Sequence, residues 1–164
     1  VNLLDLFDEQ LVHFDCEAAS SEELLEKMAN RLEKKNLVKD SYKRAIIERE
    51  HKFPTGLPTK VIKIALPHTD VEHVHQSCIS IAKLKEPVQF REMGNNNSEV
   101  AVNLVFMLAL NGSQDHLKVI QKLISLFSQE EVMQDLQKAS NKNELLDTVL
   151  KAIQAMGDNM ITKN

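Results

Sequence analysis

The stretch of residues 100–110, Val-Ala-Val-Asn-Leu-Val-Phe-Met-Leu-Ala-Leu, constrains this chain more than any other. It falls well short of the roughly 20 apolar residues that a membrane-spanning helix needs. A strand with one wet face would alternate polar and apolar residues, and only Asn103 interrupts this run. The pattern is that of a central strand covered on both faces. The rest of the chain must therefore supply two covering layers.

Five amphipathic segments can provide that cover. Ser20 stands three residues before Glu23, a capping-box spacing, and Leu24, Leu25, Met28 and Leu32 follow at helical intervals. A second helix is expected over residues 40–50 with Asp40 as its N-cap, and Tyr42, Ala45, Ile46 and Arg49 on one face. After Asn111-Gly112-Ser113 a third carries Leu117, Ile120, Leu123, Ile124 and Phe127 as its buried face. Ser128 with Glu131 opens a short fourth around Val132 and Leu136, and the fifth carries Leu145, Leu146, Val149, Leu150 and Ile153.

Further strands are expected at residues 11–16, 61–66 and 77–84, with a loop over 94–98. The predicted fold is a single α/β domain, a mixed β-sheet flanked by helices on both faces. It spans residues 1–156, with a loose polar tail at 157–164.

Composition narrows the function classes. A net charge of -4, with both signs spread along the chain, lacks the basic stripe of a nucleic-acid binder. The first residues lack a basic region followed by an apolar one, so no signal peptide is expected. Two cysteines, Cys16 and Cys78, are read as free thiols in a reducing cytoplasm, with Cys78 a small core residue. With only four glycines there is no phosphate-cradling Gly-rich loop and no Gly-x-Ser-x-Gly elbow. His68, His73 and His75 do not follow a familiar zinc spacing, so neither metal nor cofactor is expected.

The segment Ile64-Ala65-Leu66-Pro67-His68-Thr69-Asp70 carries the most chemistry. Proline cannot continue a ladder, so it sets His68 at a strand end where rigid scaffold meets solvent. A neutral imidazole there offers a nucleophilic nitrogen; read alone, the same residue is also an ordinary surface histidine. His116 falls in the first turn of the third helix, where free N–H groups attract anions and disfavour protonation of the ring. Its plain alternative is an exposed helix-start histidine. Arg49, on an apolar helical face, calls for an anion or an acidic partner; a guanidinium grips two phosphoryl oxygens at once. Its alternative is a helix-end cation paired with Glu48 or Glu50.

Taken in order, Glu48-Arg49-Glu50, Phe53-Pro54-Thr55-Gly56, Ile64-Ala65-Leu66-Pro67-His68 and Val88-Gln89-Phe90 resemble a known family. So do the apolar run 100–110 and the helix with His116, Leu117 and Leu123. It is the enzyme IIA component of the bacterial phosphoenolpyruvate-dependent sugar phosphotransferase system, of fructose–mannitol superfamily type. The Phe-Pro-Thr-Gly segment and His73 point to galactitol-type members. Those can lack the second histidine, so His116 keeps a mannitol- or fructose-type site open. The resemblance covers roughly residues 5–155.

It implies a phosphotransferase that relays phosphate for sugar uptake. His68 would accept from the histidine-containing phosphocarrier protein, at Nε2, and give to a cysteine of enzyme IIB; the membrane enzyme IIC is served indirectly. By the same resemblance Arg49 steadies the phosphoryl group and His116 is the second active-site histidine. Thr55 either contacts that group or shapes the turn, and His73 carries no assigned role. Related domains also act as phosphorylation-dependent regulatory modules, and that is the competing function.

Overall fold

The computed structural model describes residues 2–161. Strands β1 (Val12–Cys16), β2 (Gly56–Leu57), β3 (Ile64–Ala65), β4 (Cys78–Glu92) and β5 (Asn95–Ala109) form one mixed sheet. The helices are α1 (Ser21–Lys34), α2 (Tyr42–Lys52), α3 (Asp115–Phe127), α4 (Glu130–Lys138) and α5 (Lys142–Ala155). β4 and β5 make a long antiparallel hairpin at the centre. β1 lies parallel to β4, and β3 lies parallel to β5. β2 pairs antiparallel with β3 and touches the far end of β4 through Gly56 and Glu92.

The apolar run behaves as its composition dictates. Leu104, Phe106, Leu108 and Leu110 enter one core with α3, α4 and α5, while Val105, Met107 and Ala109 enter the other with α1 and α2. None of these seven side chains is exposed. Each large one contributes about 1.5–3 kcal/mol by leaving water, so this strand anchors both layers. The α/β class and the helices on both faces are as the sequence indicates. Among the described residues no helix is long and apolar enough to cross a membrane.

Several local expectations are corrected. The loop placed at residues 94–98 is the tip of the hairpin: only Met93 and Gly94 form the turn, Gly94 with φ 78°, and the asparagines continue β5. The strand placed at 61–66 shrinks to Ile64–Ala65, because Val61 takes φ 72°, a conformation that breaks a strand. Asp40 does not cap α2. The N-cap is Ser41, and its hydroxyl is held by His73 Nδ1 at 2.8 Å rather than by the helix. Ser128 does not cap α4 either, since its hydroxyl donates back to the Ser125 carbonyl.

Ser20, by contrast, accepts from Glu23 N–H at 3.1 Å, and Glu23 accepts from Ala19 N–H at 3.1 Å. Such a cap stabilises a helix by about 1 kcal/mol. α3 buries Val119, Leu123, Leu126 and Phe127, leaving Leu117 66% and Ile124 41% exposed. Its apolar stripe is wider than the sheet can cover, so Leu117 and Ile124 stay outside while Ile120, partly buried, packs against the core. The tail expected to be loose from Gly157 packs through Ile161, 1% exposed, while Asn159 accepts from Leu3 N–H at 2.8 Å. Residues 162–164 of that tail lie outside the described residues.

Candidate active site

Three element ends meet beside β5. The chain leaving β3 stays alongside it: Leu108 N–H donates to the Pro67 carbonyl at 2.9 Å, and His68 bridges to Leu108 in parallel. α2 is tied to the same point, because the buried Tyr42 hydroxyl donates to the Leu108 carbonyl at 2.9 Å. α2 brings Arg49 in its last turn, and α3 brings His116 in its first.

His68 Nδ1 lies 2.8 Å from the Leu66 carbonyl. A carbonyl only accepts, so Nδ1 carries the proton and Nε2 keeps its lone pair. Burial is the main force lowering the His68 pKa; the Leu66 bond opposes it, Arg49 adds to it, and Asp70 opposes it. The ring is therefore neutral at pH 7. The His116 ring lies beside it, tilted by 35°, with ring centroids 5.4 Å apart. Burial, then His68, then Arg49 press the His116 pKa down to about 4, against Asp115 and Asp70. Burial, more than the helix terminus, keeps this second imidazole neutral.

Arg49 reaches Asp70 Oδ1 through Nη1 at 3.5 Å and lies 4.9 Å over the Phe53 ring. The sequence left open a pairing with Glu48 or Glu50. Glu48 instead pairs with Arg44 at 3.0 Å, and Glu50 turns inward to Thr55. Two buried nitrogens here, Arg49 Nε and His116 Nε2, have no hydrogen-bond partner among the described residues. Both suit an incoming anion, which would satisfy donors that otherwise cost free energy to bury.

Of the five residues singled out from sequence, His68, His116 and Arg49 come together. Thr55 does not join them directly: it is 3% exposed and gives its hydroxyl to Glu50. His73 is held by Ser41 and lies 3.6 Å from Glu72. Among the described residues no group of His, Cys, Asp or Glu is arranged to hold a metal ion.

This arrangement can be set beside known proteins. The family "Phosphoenolpyruvate-dependent sugar phosphotransferase system, EIIA 2" matches residues 5–152. The chain belongs to this family. EIIA components are phosphotransferases, and this one is a member of that class. The galactitol-specific EIIA component of Escherichia coli K12 is 32% identical over 114 residues, 70% of this chain and 75% of that one. The E. coli mannitol IIA in complex with phosphorylated mannitol IIB superposes with a TM-score of 0.69 at 26% identity, covering 92% and 97% of the two chains. The crystal structure of mannitol IIA from E. coli shares the fold, with a TM-score of 0.70 at 24% identity over 87% and 98%.

Within this EIIA frame, three contributors were missed from sequence. Asp70 stands in the sequence only as the end of the histidine segment, yet it pairs with Arg49. Glu50 reads as one more charge in Glu48-Arg49-Glu50; only its position across from a buried threonine reveals it. The Leu66 carbonyl leaves no mark in a sequence at all.

Proposed function

We propose that His68 is the phosphoryl acceptor of this EIIA protein, working in the cytoplasm of a sugar-uptake relay. The observation that carries this reading is the Nδ1 tether, which leaves Nε2 as the nucleophile. The donor is the histidine-containing phosphocarrier protein. The His68 Nε2 lone pair forms the new phosphorus–nitrogen bond as the donor's breaks, its electron pair returning to the donor ring. In the second step a cysteine thiolate of enzyme IIB attacks phosphorus, and the Nε2 bond breaks with its pair returning to His68. The proton stays on Nδ1 throughout, donated to the Leu66 carbonyl.

Such transfers need alignment and stabilised equatorial oxygens more than covalent assistance. Arg49 can leave the exposed Asp70 to grip two of those oxygens, and His116, neutral, donates one N–H. The 32% identity to a galactitol-specific component and the likeness to mannitol IIA bound to IIB support transport with IIB as acceptor. Galactitol-type sugars are the proposed cargo class, reached through IIB and IIC.

The test is a reconstituted relay from phosphoenolpyruvate through purified donor proteins. The expected result is acid-labile phosphate on the wild-type chain and none on His68→Ala. An active donor that leaves the wild type unlabelled overturns the reading.

A further inference from the structure

A second row of hydrogen bonds runs from the end of α2 to the acceptor ring. Glu50 is 7% exposed, an unusual place for a carboxyl group. Its Oε1 accepts from Thr55 N–H at 2.9 Å, and the Thr55 hydroxyl lies 2.9 Å from each carboxyl oxygen. The Thr55 carbonyl accepts from Leu66 N–H at 3.3 Å. The Leu66 carbonyl accepts from His68 Nδ1–H at 2.8 Å. The row therefore links Glu50 to Thr55, Thr55 to Leu66, and Leu66 to His68, with Leu66 itself fully buried.

We propose that Glu50 and Thr55 are positioning residues for His68, acting through this row to fix which ring nitrogen is free and where it points. The inference rests on reading His68 as the acceptor. Which tautomer a neutral imidazole adopts is decided by the bond its other nitrogen makes. That bond ends on the carbonyl of a residue whose own N–H is held by the Thr55 carbonyl, while the next residue, Pro67, gives its carbonyl to Leu108 N–H. If the Thr55 loop drifts, the Leu66 backbone loses its hold at the N–H, its carbonyl shifts, and Nδ1 loses its acceptor. The proton then also occupies Nε2, and the lone pair moves to the nitrogen facing away from an incoming phosphoryl group.

A purely structural reading would make Glu50 only a clamp on the loop after α2. The two readings separate in the His68 ring itself. The experiment compares wild type, Thr55→Val, Thr55→Ser and Glu50→Gln, at a temperature where circular dichroism shows each folded. One measurement is the transfer rate from phosphorylated donor protein at saturating donor. The other is the 15N spectrum of the His68 ring.

Thr55→Val should lower the saturated rate about tenfold, the scale of a small misplacement, with the half-saturating donor concentration unchanged. Its His68 spectrum should show a mixture of tautomers. Thr55→Ser should restore both, and Glu50→Gln should fall between. Unchanged rate and tautomer in Thr55→Val and Glu50→Gln overturn the proposal, as does a lower rate with the wild-type tautomer. If Thr55→Val fails to fold, Glu50→Gln against Thr55→Ser decides by the same two readouts. A wild-type ring found mainly as the Nε2–H tautomer also overturns it. A wild type that takes no phosphate sinks the acceptor reading instead, and the ring spectra still test the tether.

Discussion

His13 and His68 are alike by most of the signs used to pick out a reactive histidine. Both are half-buried beside the same sheet, His13 on β1 and His68 just past β3. Burial comes first among the causes that lower each pKa, and nearby cations add to it: Arg31, Lys142 and Lys35 for His13, Arg49 for His68. His13 even shares with the His68 neighbourhood a buried ring nitrogen without a partner, as at His116 Nε2. What differs is the company. His68 has a carbonyl fixing its tautomer, a second imidazole at 5.4 Å and an arginine paired to an exposed aspartate. A lowered pKa therefore records burial; a site needs donors aimed at one place.

The comparison breaks most sharply on exchange of the two residues. His68→Gln should abolish phosphorylation by the donor protein. His13→Gln should leave the rate within about twofold of wild type, since sites that share no partners couple weakly. Label on His13 in the His68→Gln chain would show that burial and cations suffice after all.

The cations give the next contrast. Arg49→Ala should slow transfer about a hundredfold, the usual loss when one donor to a developing anion is removed. Arg31→Ala, on the exposed side of α1 near His13, should change nothing measurable in the same assay. Melting temperatures of both should stay close to wild type, because among the described residues the Arg49 side chain pairs with the exposed Asp70 carboxylate and lies over the Phe53 ring, neither of them a core contact. Equal rates for Arg49→Ala and wild type would remove the guanidinium from the mechanism.

His68, Arg49 and His116 were visible as candidates because each sits at an element end that proline, periodicity or a glycine turn marks; position alone left each an ordinary alternative, and the ordered family resemblance raised them above it. The β5 core and the Ser20 cap were legible directly: side-chain chemistry and period agree with the outcome. The failures have a common physical origin. The asparagines after Gly94 look like a loop by composition, but pairing of Arg91 with Glu99 carries the hairpin through them. On α3 two apolar stripes compete, and only the position of the sheet selects 119–123–126. Glu50 looks like a solvated charge, and nothing local announces that Thr55 folds back onto it. Long-range pairing and backbone acceptors are properties of the assembled chain, so no single segment encodes them.

The smallest expected effect lies in stability rather than transfer. His13 and His116 both have pKa values of about 4 in the folded chain, against an ordinary 6.5. Between those values the unfolded chain binds more protons, so stability is full above pH 6.5 and declines as pH falls toward 4. Glu50 works in the opposite sense, since burial raises its pKa from 4.5 to about 7. The folded chain binds the extra proton there, so the Glu50 contribution is full below 4.5 and is lost as pH rises through 7. The urea midpoint should accordingly fall from pH 7 to pH 5 with a slope that these groups share. His13→Gln should make that fall shallower, and Glu50→Gln should make it steeper. If His13→Gln leaves the slope untouched, then His13 is protonated as readily in the folded chain as in the unfolded one. The likeness between the two histidines would then end at burial.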